Sequence, residues 1–343
     1  MGYIKIDAKN FFENLEIVSK KAGSKKRVAL VLKDNAYGHG LEEMAALAYE
    51  FGIEKAVVRN MAEALKIEKL FGYILVLSEI PQEKPIPNIG ITVNCIEDLK
   101  KIPPFSTVEL KIDTGMHRNG IELSETKEAF DLIKKRGLVL RGVFTHFRSA
   151  DELSTELFWQ KKRFEKAKKR VLELCYEFGF ERPLFHSCNS AALFRSESFD
   201  EDFARVGIAA YGYLESDEVF DMPELKPVLS LWGEKIASKR LKKGQRLGYG
   251  GVFEADRDIV VSTYDIGYAD GFFRLDGSRE YILPGGEKIL GRVSMDSMSI
   301  DSQKQEICII DDAKKCARFF NTISYEILVK LSPFLKRVVN RQM

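Results

Sequence analysis

At five places in this 343-residue chain an ionisable side chain stands where a short apolar run stops. They are Lys33 after VALVL, Lys111 with Asp113 in TVELKID, His146 in GVFTHF, His186 in PLFHSCN and Arg205 in FARVG. A neutral lysine amine attacks carbonyl carbons and, once free, serves as a base. Histidine exchanges protons near neutrality. Arginine offers five N–H donors and gives up no proton, so it suits an anion. Each residue alone has a plainer reading: a lysine ending a strand is commonly a chain reaching the surface. The chemical reading needs a fold that carries all five strand ends to one face.

The elements supply such a fold. Short apolar, β-branched runs fall at 28–33, 55–60, 73–78, 89–94, 107–113, 142–147, 183–189 and 203–212. Between them lie segments of helical spacing at 41–51, 61–71, 125–136 and 152–178, while the Pro-rich connection 79–88 is too short for a helix. Eight strand–helix alternations with largely apolar strands predict an α/β architecture, a parallel (β/α)8 TIM-type barrel over residues 1–220. In such a barrel the carboxyl ends of the strands form a shared, partly desolvated mouth, where ionisable groups are poised for chemistry. After residue 220 helical spacing fades. Strands at 230–241, 259–268, 288–300 and 306–311 alternate with Gly-rich turns, predicting a mainly β domain over 221–343 with a helical tail at 325–335.

With 45% hydrophobic and 30% charged residues the chain can bury a large core, and the dispersed charge, net +2, argues against nucleic acid or an anionic membrane as partner. The basic triplets Lys161-Lys162-Arg163 and Lys168-Lys169-Arg170 lie among Phe158, Phe164, Val171, Leu174 and Phe178 at helical spacing, so they read as the solvated face of an amphipathic helix. Five cysteines, an odd number with no C-x-x-C pair, favour a reducing compartment. The opening MGYIKIDAKN has no apolar signal core and no run approaches a membrane span, so the expected location is the cytoplasm. The four histidines are spread without a close-spaced pair, which argues against a metal site.

Eight blocks, KDNAYGHG (33–40), KIDTGMHRNG (111–120), THFRSADE (145–152), HSCNSA (186–191), ARVGIAAYG (204–212), GYGGVF (248–253), GYADG (267–271) and GRVSMDS (291–297), occur in one order. Together the sequence resembles the alanine racemases, homodimeric pyridoxal 5'-phosphate enzymes with an N-terminal barrel and a C-terminal β domain, from the first barrel strand almost to the C-terminus. The resemblance implies interconversion of L- and D-alanine, with D-alanine supplied to bacterial cell-wall peptidoglycan. It implies that Lys33 bonds covalently to the cofactor aldehyde and serves as one base, and that Tyr249 in GYGG is the other. Racemisation removes a Cα proton on one face of a planar adduct and returns one on the other, so two such groups are the simplest solution.

By the same resemblance Arg205 faces the pyridine nitrogen, and His146 joins it in linking Tyr249 to the cofactor. Tyr37, Ser190 and the amides of Gly207 and Ile208 hold the phosphate, and His186 belongs to the cofactor site. Arg118 approaches the substrate carboxylate, and Lys111 matches a lysine often carbamylated in the family. Tyr268, Met295 and Asp296 match substrate-side residues of the second domain. In the family Tyr249 reaches Lys33 across a two-fold dimer interface. Ser190 by itself also reads as a helix cap, and an unmodified Lys111 is an open alternative. The sequence departs from the family at His117, where glycine is usual, at Val206 for proline, at Ser294 for cysteine, and in KLSPFLKR, which lacks a tyrosine found there in some members. A racemase of serine, lysine or a broader amino-acid set shares all these motifs. A non-catalytic pyridoxal-phosphate carrier shares the lysine, but has no need of a second domain or of Tyr249.

Overall fold

A computed structural model describes residues 2–217 and 219–341. The chain divides into two compact units. One comprises Phe12–Ala36 and Met44–Leu225; the other comprises Met1–Phe11, Tyr37–Glu43 and Lys226–Met343.

The first unit is the barrel. Its strands, Val28–Val31, Lys55–Val58, Tyr73–Val76, Ile89–Val93, Thr107–Lys111, Val139–Phe144, Leu184–His186 and Ala204–Val206, are all parallel. Each pairs with its sequence neighbours, except that Ala204–Val206 returns to lie beside Val28–Val31. The two ends of the ladder, Leu184–His186 and Ala204–Val206, approach where Arg205 N–H donates to the Cys188 carbonyl at 2.9 Å, so the barrel is nearly closed. All eight expected runs form these strands. Branched apolar residues bury on both faces of a parallel sheet, and Leu30, Val57, Ile74, Ile91, Leu110 and Val143 are fully buried. The helix Glu156–Phe178 buries Leu157, Phe164, Ala167, Val171 and Leu174, leaves Lys162 and Lys169 exposed, and stops at Gly179 in a left-handed cap. Segment 79–88 contains no helix.

The second unit is a six-stranded sheet. The order Met298–Ile300, Ile259–Tyr264, Leu229–Leu241, Tyr3–Asp7, Lys336–Asn340 forms one path, and Glu306–Ile310 also pairs with Leu229–Leu241. Three features differ from the sequence reading. Tyr3–Asp7, far from the other strands in sequence, lies in this sheet, antiparallel to Leu229–Leu241 and parallel to Lys336–Asn340. The expected strand 288–300 survives as a ladder only at Met298–Ile300, because Gly291 at φ 73° and a Ser294–Ser297 backbone turn bend the chain before it. The tail is a helix only over Ser324–Val329, and Pro333 precedes the strand Lys336–Asn340. A further helix, Ala313–Phe320, starts at Asp312, whose carboxylate accepts from Lys314 N–H. Among the described residues no helix is long and apolar enough to cross a membrane.

Candidate active site

The barrel gathers most of the expected residues. Lys33, half-buried, follows the first strand and opens a turn whose next four residues, Asp34 to Tyr37, have φ between 52° and 56°. Arg205, on the last strand, is buried. Its Nη1 donates to His186 Nδ1 at 2.5 Å and to the His186 carbonyl at 3.0 Å; its Nη2 donates to the carbonyls of Thr145 at 2.7 Å and Ser187 at 3.2 Å. Four of its five N–H donors are thereby used, and among the described residues the fifth, on Nε, has no partner.

The arginine fixes a tautomer. A guanidinium only donates, so His186 Nδ1 accepts and its proton sits on Nε2, which donates to Glu109 Oε2 at 2.7 Å. Tyr73 donates its hydroxyl to Glu109 Oε1, also at 2.7 Å. All three side chains of this relay are buried, and the imidazole is stacked between Phe144 and Phe203 at centroid distances of 4.9 and 4.1 Å. Burial by itself would raise the Glu109 pKa, but His186, Tyr73 and Arg205 outweigh it and hold the carboxyl below its ordinary value. Burial lowers the His186 pKa against the pull of Glu109, consistent with the neutral ring. Sequence reasoning missed Glu109 and Tyr73. The available signal was an acid two residues before Lys111 in a strand, and therefore on the same face.

His146, after the sixth strand, is pushed down to about 3 by burial and then by the positive charges of Arg205, Lys111, Arg118 and Lys33. It stays neutral through the physiological range. Lys111 is buried and pushed down to about 8 by burial, with Arg118 and Arg205 adding to the effect. Its Nζ donates to Asn119 Oδ1; Asn119 donates to Asn94 Oδ1 at 2.8 Å, and Asn94 to the Leu77 carbonyl at 2.9 Å. Arg118 is exposed and has no partner among the described residues. Ser190, after the seventh strand, accepts at Oγ from the amides of Gly207 at 3.2 Å and Ala209 at 3.4 Å, which follow the last strand, while Asn189 caps the helix that Ser190 begins. This brings a hydroxyl beside the 207–209 backbone turn. Ile208 is buried within that turn.

The remaining candidates lie in the second unit. Tyr37 is buried, its ring 6.0 Å from that of Tyr325. Tyr249 projects from the tip of a hairpin formed by Arg246–Leu247 and Phe253–Glu254, and the residue is 69% exposed within one chain. Tyr268 donates its backbone N–H to the Ser294 carbonyl at 3.1 Å, and Ala269 donates to the Met295 carbonyl at 2.7 Å, which places Tyr268, Met295 and Asp296 on adjoining loops. Met295 and Asp296 are exposed.

The family models for the alanine racemase N-terminal and C-terminal domains match residues 6–215 and 228–339. The chain belongs to the alanine racemase family. An alanine racemase of a Nitratiruptor species is 54% identical over 98% of this chain and 99% of its own length. That of Campylobacter curvus is 48% identical over the same shares. Among solved structures, alanine racemase from Bacillus anthracis with bound L-Ala-P superposes with a TM-score of 0.85 at 28% identity, covering 99% of this chain and 95% of the other. Histidine racemase from Leuconostoc mesenteroides superposes equally well, with a TM-score of 0.85 at 25% identity over 99% and 98%. Family members are pyridoxal-phosphate-dependent racemases. The residues present fit that cofactor. A buried guanidinium with one N–H left over suits a ring nitrogen acceptor, and a hydroxyl with turn amides suits a phosphate.

Proposed function

We propose that this protein interconverts L-alanine and D-alanine by two-base proton transfer, with pyridoxal 5'-phosphate as cofactor. The observation that carries the reading is Arg205, buried beside a relay that ends in Glu109 and retaining one N–H for a ring nitrogen. When bound, the cofactor withdraws electrons from the substrate Cα and so makes its proton removable. An arginine at the ring nitrogen donates a hydrogen bond and no proton, which limits that withdrawal and favours returning the proton to Cα over moving it elsewhere.

The chain's own residues do the rest. Lys33 holds the cofactor through its side-chain nitrogen and, released by substrate, takes or returns a proton on one face. Tyr249 of a partner subunit does so on the other face, which gives its exposure in a single chain a purpose. His146, held neutral, can accept a hydrogen bond on the path between Tyr249 and Arg205. Tyr37, Ser190 and the amides of Gly207 and Ile208 hold the phosphate. Arg118 binds the substrate carboxylate, oriented by a carbamate on Lys111. Tyr268, Met295 and Asp296 line the substrate side. The protein acts as a homodimer in the cytoplasm, where none of the five cysteines is in a disulfide, and it provides D-alanine for peptidoglycan.

The histidine racemase of the same fold supports a second reading, in which another amino acid is the preferred substrate. Chiral chromatography after incubating the purified holoenzyme with each L-amino acid separates the two. Alanine should be racemised with the highest kcat/KM; a higher value for serine, lysine or histidine would replace the first reading by the second.

A further inference from the structure

The turn after Lys33 is conformationally expensive. Asp34, Asn35, Ala36 and Tyr37 have φ of 56°, 56°, 52° and 53°, and none is glycine. Each L-residue in left-handed helical backbone costs roughly 1–2 kcal/mol, somewhat less for Asp and Asn. Such a run persists only where its surroundings over-determine it. Within the barrel unit one carboxylate ties the run to the neighbouring strand end. Glu63 Oε1 accepts the Asn35 N–H at 3.1 Å, and Oε2 accepts the Arg59 N–H at 2.8 Å. Glu63 is itself fixed by the helix Met61–Ile67, whose cap Asn60 accepts the Glu63 N–H at 2.9 Å. Ala36 N–H closes the turn onto the Leu32 carbonyl at 2.8 Å, and the buried Tyr211 hydroxyl holds the Val31 carbonyl at the same distance. The Asp34–Arg59 ion pair at 3.1 Å is largely exposed, and pairs of that kind are worth about 0–1 kcal/mol.

We propose that Glu63 is a positioning residue for the reaction: its carboxylate braces the left-handed turn against the end of the second barrel strand and so sets the direction in which Lys33 leaves the first. Lys33 immediately precedes the run, and its amine lies at the end of a four-carbon stem. A small backbone rotation at Asp34 or Asn35 is therefore magnified at Nζ. The inference rests on the reading of Lys33 as the cofactor-bearing base.

The test compares Glu63→Ala, Glu63→Gln and Arg59→Ala with the wild type. Borohydride reduction of each holoenzyme followed by peptide mass spectrometry should place the cofactor on Lys33. In cofactor-free protein, Asn35 amide hydrogen exchange should rise at least about tenfold in Glu63→Ala, as a lost hydrogen bond of about 1.5 kcal/mol implies. In the holoenzyme, kcat should fall roughly 10–100-fold with little change in KM, the cost of a displaced catalytic group. The α-deuterium isotope effect should rise in one direction of racemisation only, the one in which Lys33 takes the proton. Glu63→Gln, keeping one acceptor oxygen, should fall between, and it carries the test if the alanine variant does not fold. Arg59→Ala keeps the braced amide and should lose less than about fivefold. An isotope effect and kcat equal to wild type despite faster Asn35 exchange would overturn the positioning role. Unchanged exchange would overturn the brace, and equal losses in Arg59→Ala would transfer the effect to the surface ion pair. A wild-type adduct on another lysine would instead remove the assignment of Lys33 itself.

Discussion

Lys111 is a cation placed among cations. Burial, and then Arg118 and Arg205, push its pKa down against the pull of Asp113; among the described residues its only hydrogen-bond partner is the neutral amide of Asn119, and the Arg118 guanidinium has no anion to hold. A value of about 8 leaves about a quarter of the amine neutral at pH 7.5, against roughly a thousandth for an unperturbed lysine. The neutral amine can add carbon dioxide, forming an N–C bond and releasing a proton, and the product is an anion beside Arg118. The fraction modified at fixed dissolved carbon dioxide should therefore rise as the pH climbs through 8. Native mass spectrometry, or density beyond Nζ, would read it; a bare ammonium at every pH would dismiss the carbamate. The neighbouring loop accounts for one departure from the family. His117 has φ 53°, the backbone that glycine adopts freely, and Asp113 holds it there by accepting the amides of Gly115, Met116 and His117 at 2.8, 2.9 and 3.2 Å. The departure from glycine at 117 is visible in the sequence, but the left-handed backbone there and the carboxylate that stabilises it are visible only once the loop is folded.

At the level of elements, two glycines make room for the relay behind Arg205. Gly142 pairs directly with Glu109, and a methyl added to it would stand 2.9 Å from the Glu109 carboxyl carbon. Gly90, on the strand at the other flank, leaves space for the Tyr73 ring: an added methyl would stand 2.0 Å from its hydroxyl oxygen. Gly142→Ala should therefore displace Glu109, cost about 1–3 kcal/mol in overpacking, and lower kcat by loosening His186 behind Arg205. Thermal unfolding with and without cofactor and the absorption spectrum of the holoenzyme would check it; wild-type stability together with a wild-type spectrum would refute it. The barrel strands were legible because branched apolar runs are the direct signature of strands buried on both faces. The relay was not, since Tyr73, Glu109 and Gly142 are each ordinary in their own strand and acquire meaning through register. Tyr3–Asp7 escaped for a related reason: YIKID is five residues long, and the strands that complete it lie at 229–241 and 336–340. The helix Ala313–Phe320 escaped through its brevity: its buried face, Ala313, Cys316 and Ala317, has helical spacing, but in AKKCARFF it spans only two turns and consists of small residues.

For the whole molecule, the two proposed bases lie in different units, Lys33 in the barrel and Tyr249 on a hairpin of the sheet unit. If each site combines Lys33 of one subunit with Tyr249 of its partner, Lys33→Ala and Tyr249→Ala homodimers should both be nearly inactive. A mixed dimer would then contain one intact site and one lacking both groups. Random pairing makes about half of all dimers mixed, so co-expression should restore roughly a quarter of wild-type activity. Co-expressed protein as inactive as its parents would mean that both bases come from one chain. The placement of Tyr3–Asp7 between Leu229–Leu241 and Lys336–Asn340 has a consequence in time. This strand leaves the ribosome before the barrel, and the strands on either side of it emerge after the barrel. At about 5–20 residues per second, the roughly 220 residues before the first partner take on the order of 10–45 s to synthesise. Through that interval the strand has two unpaired edges while the barrel behind it is being made, which leaves it open to association with other nascent chains. A cut at residue 221, natural in linear order, would separate this sheet from one of its own interior strands.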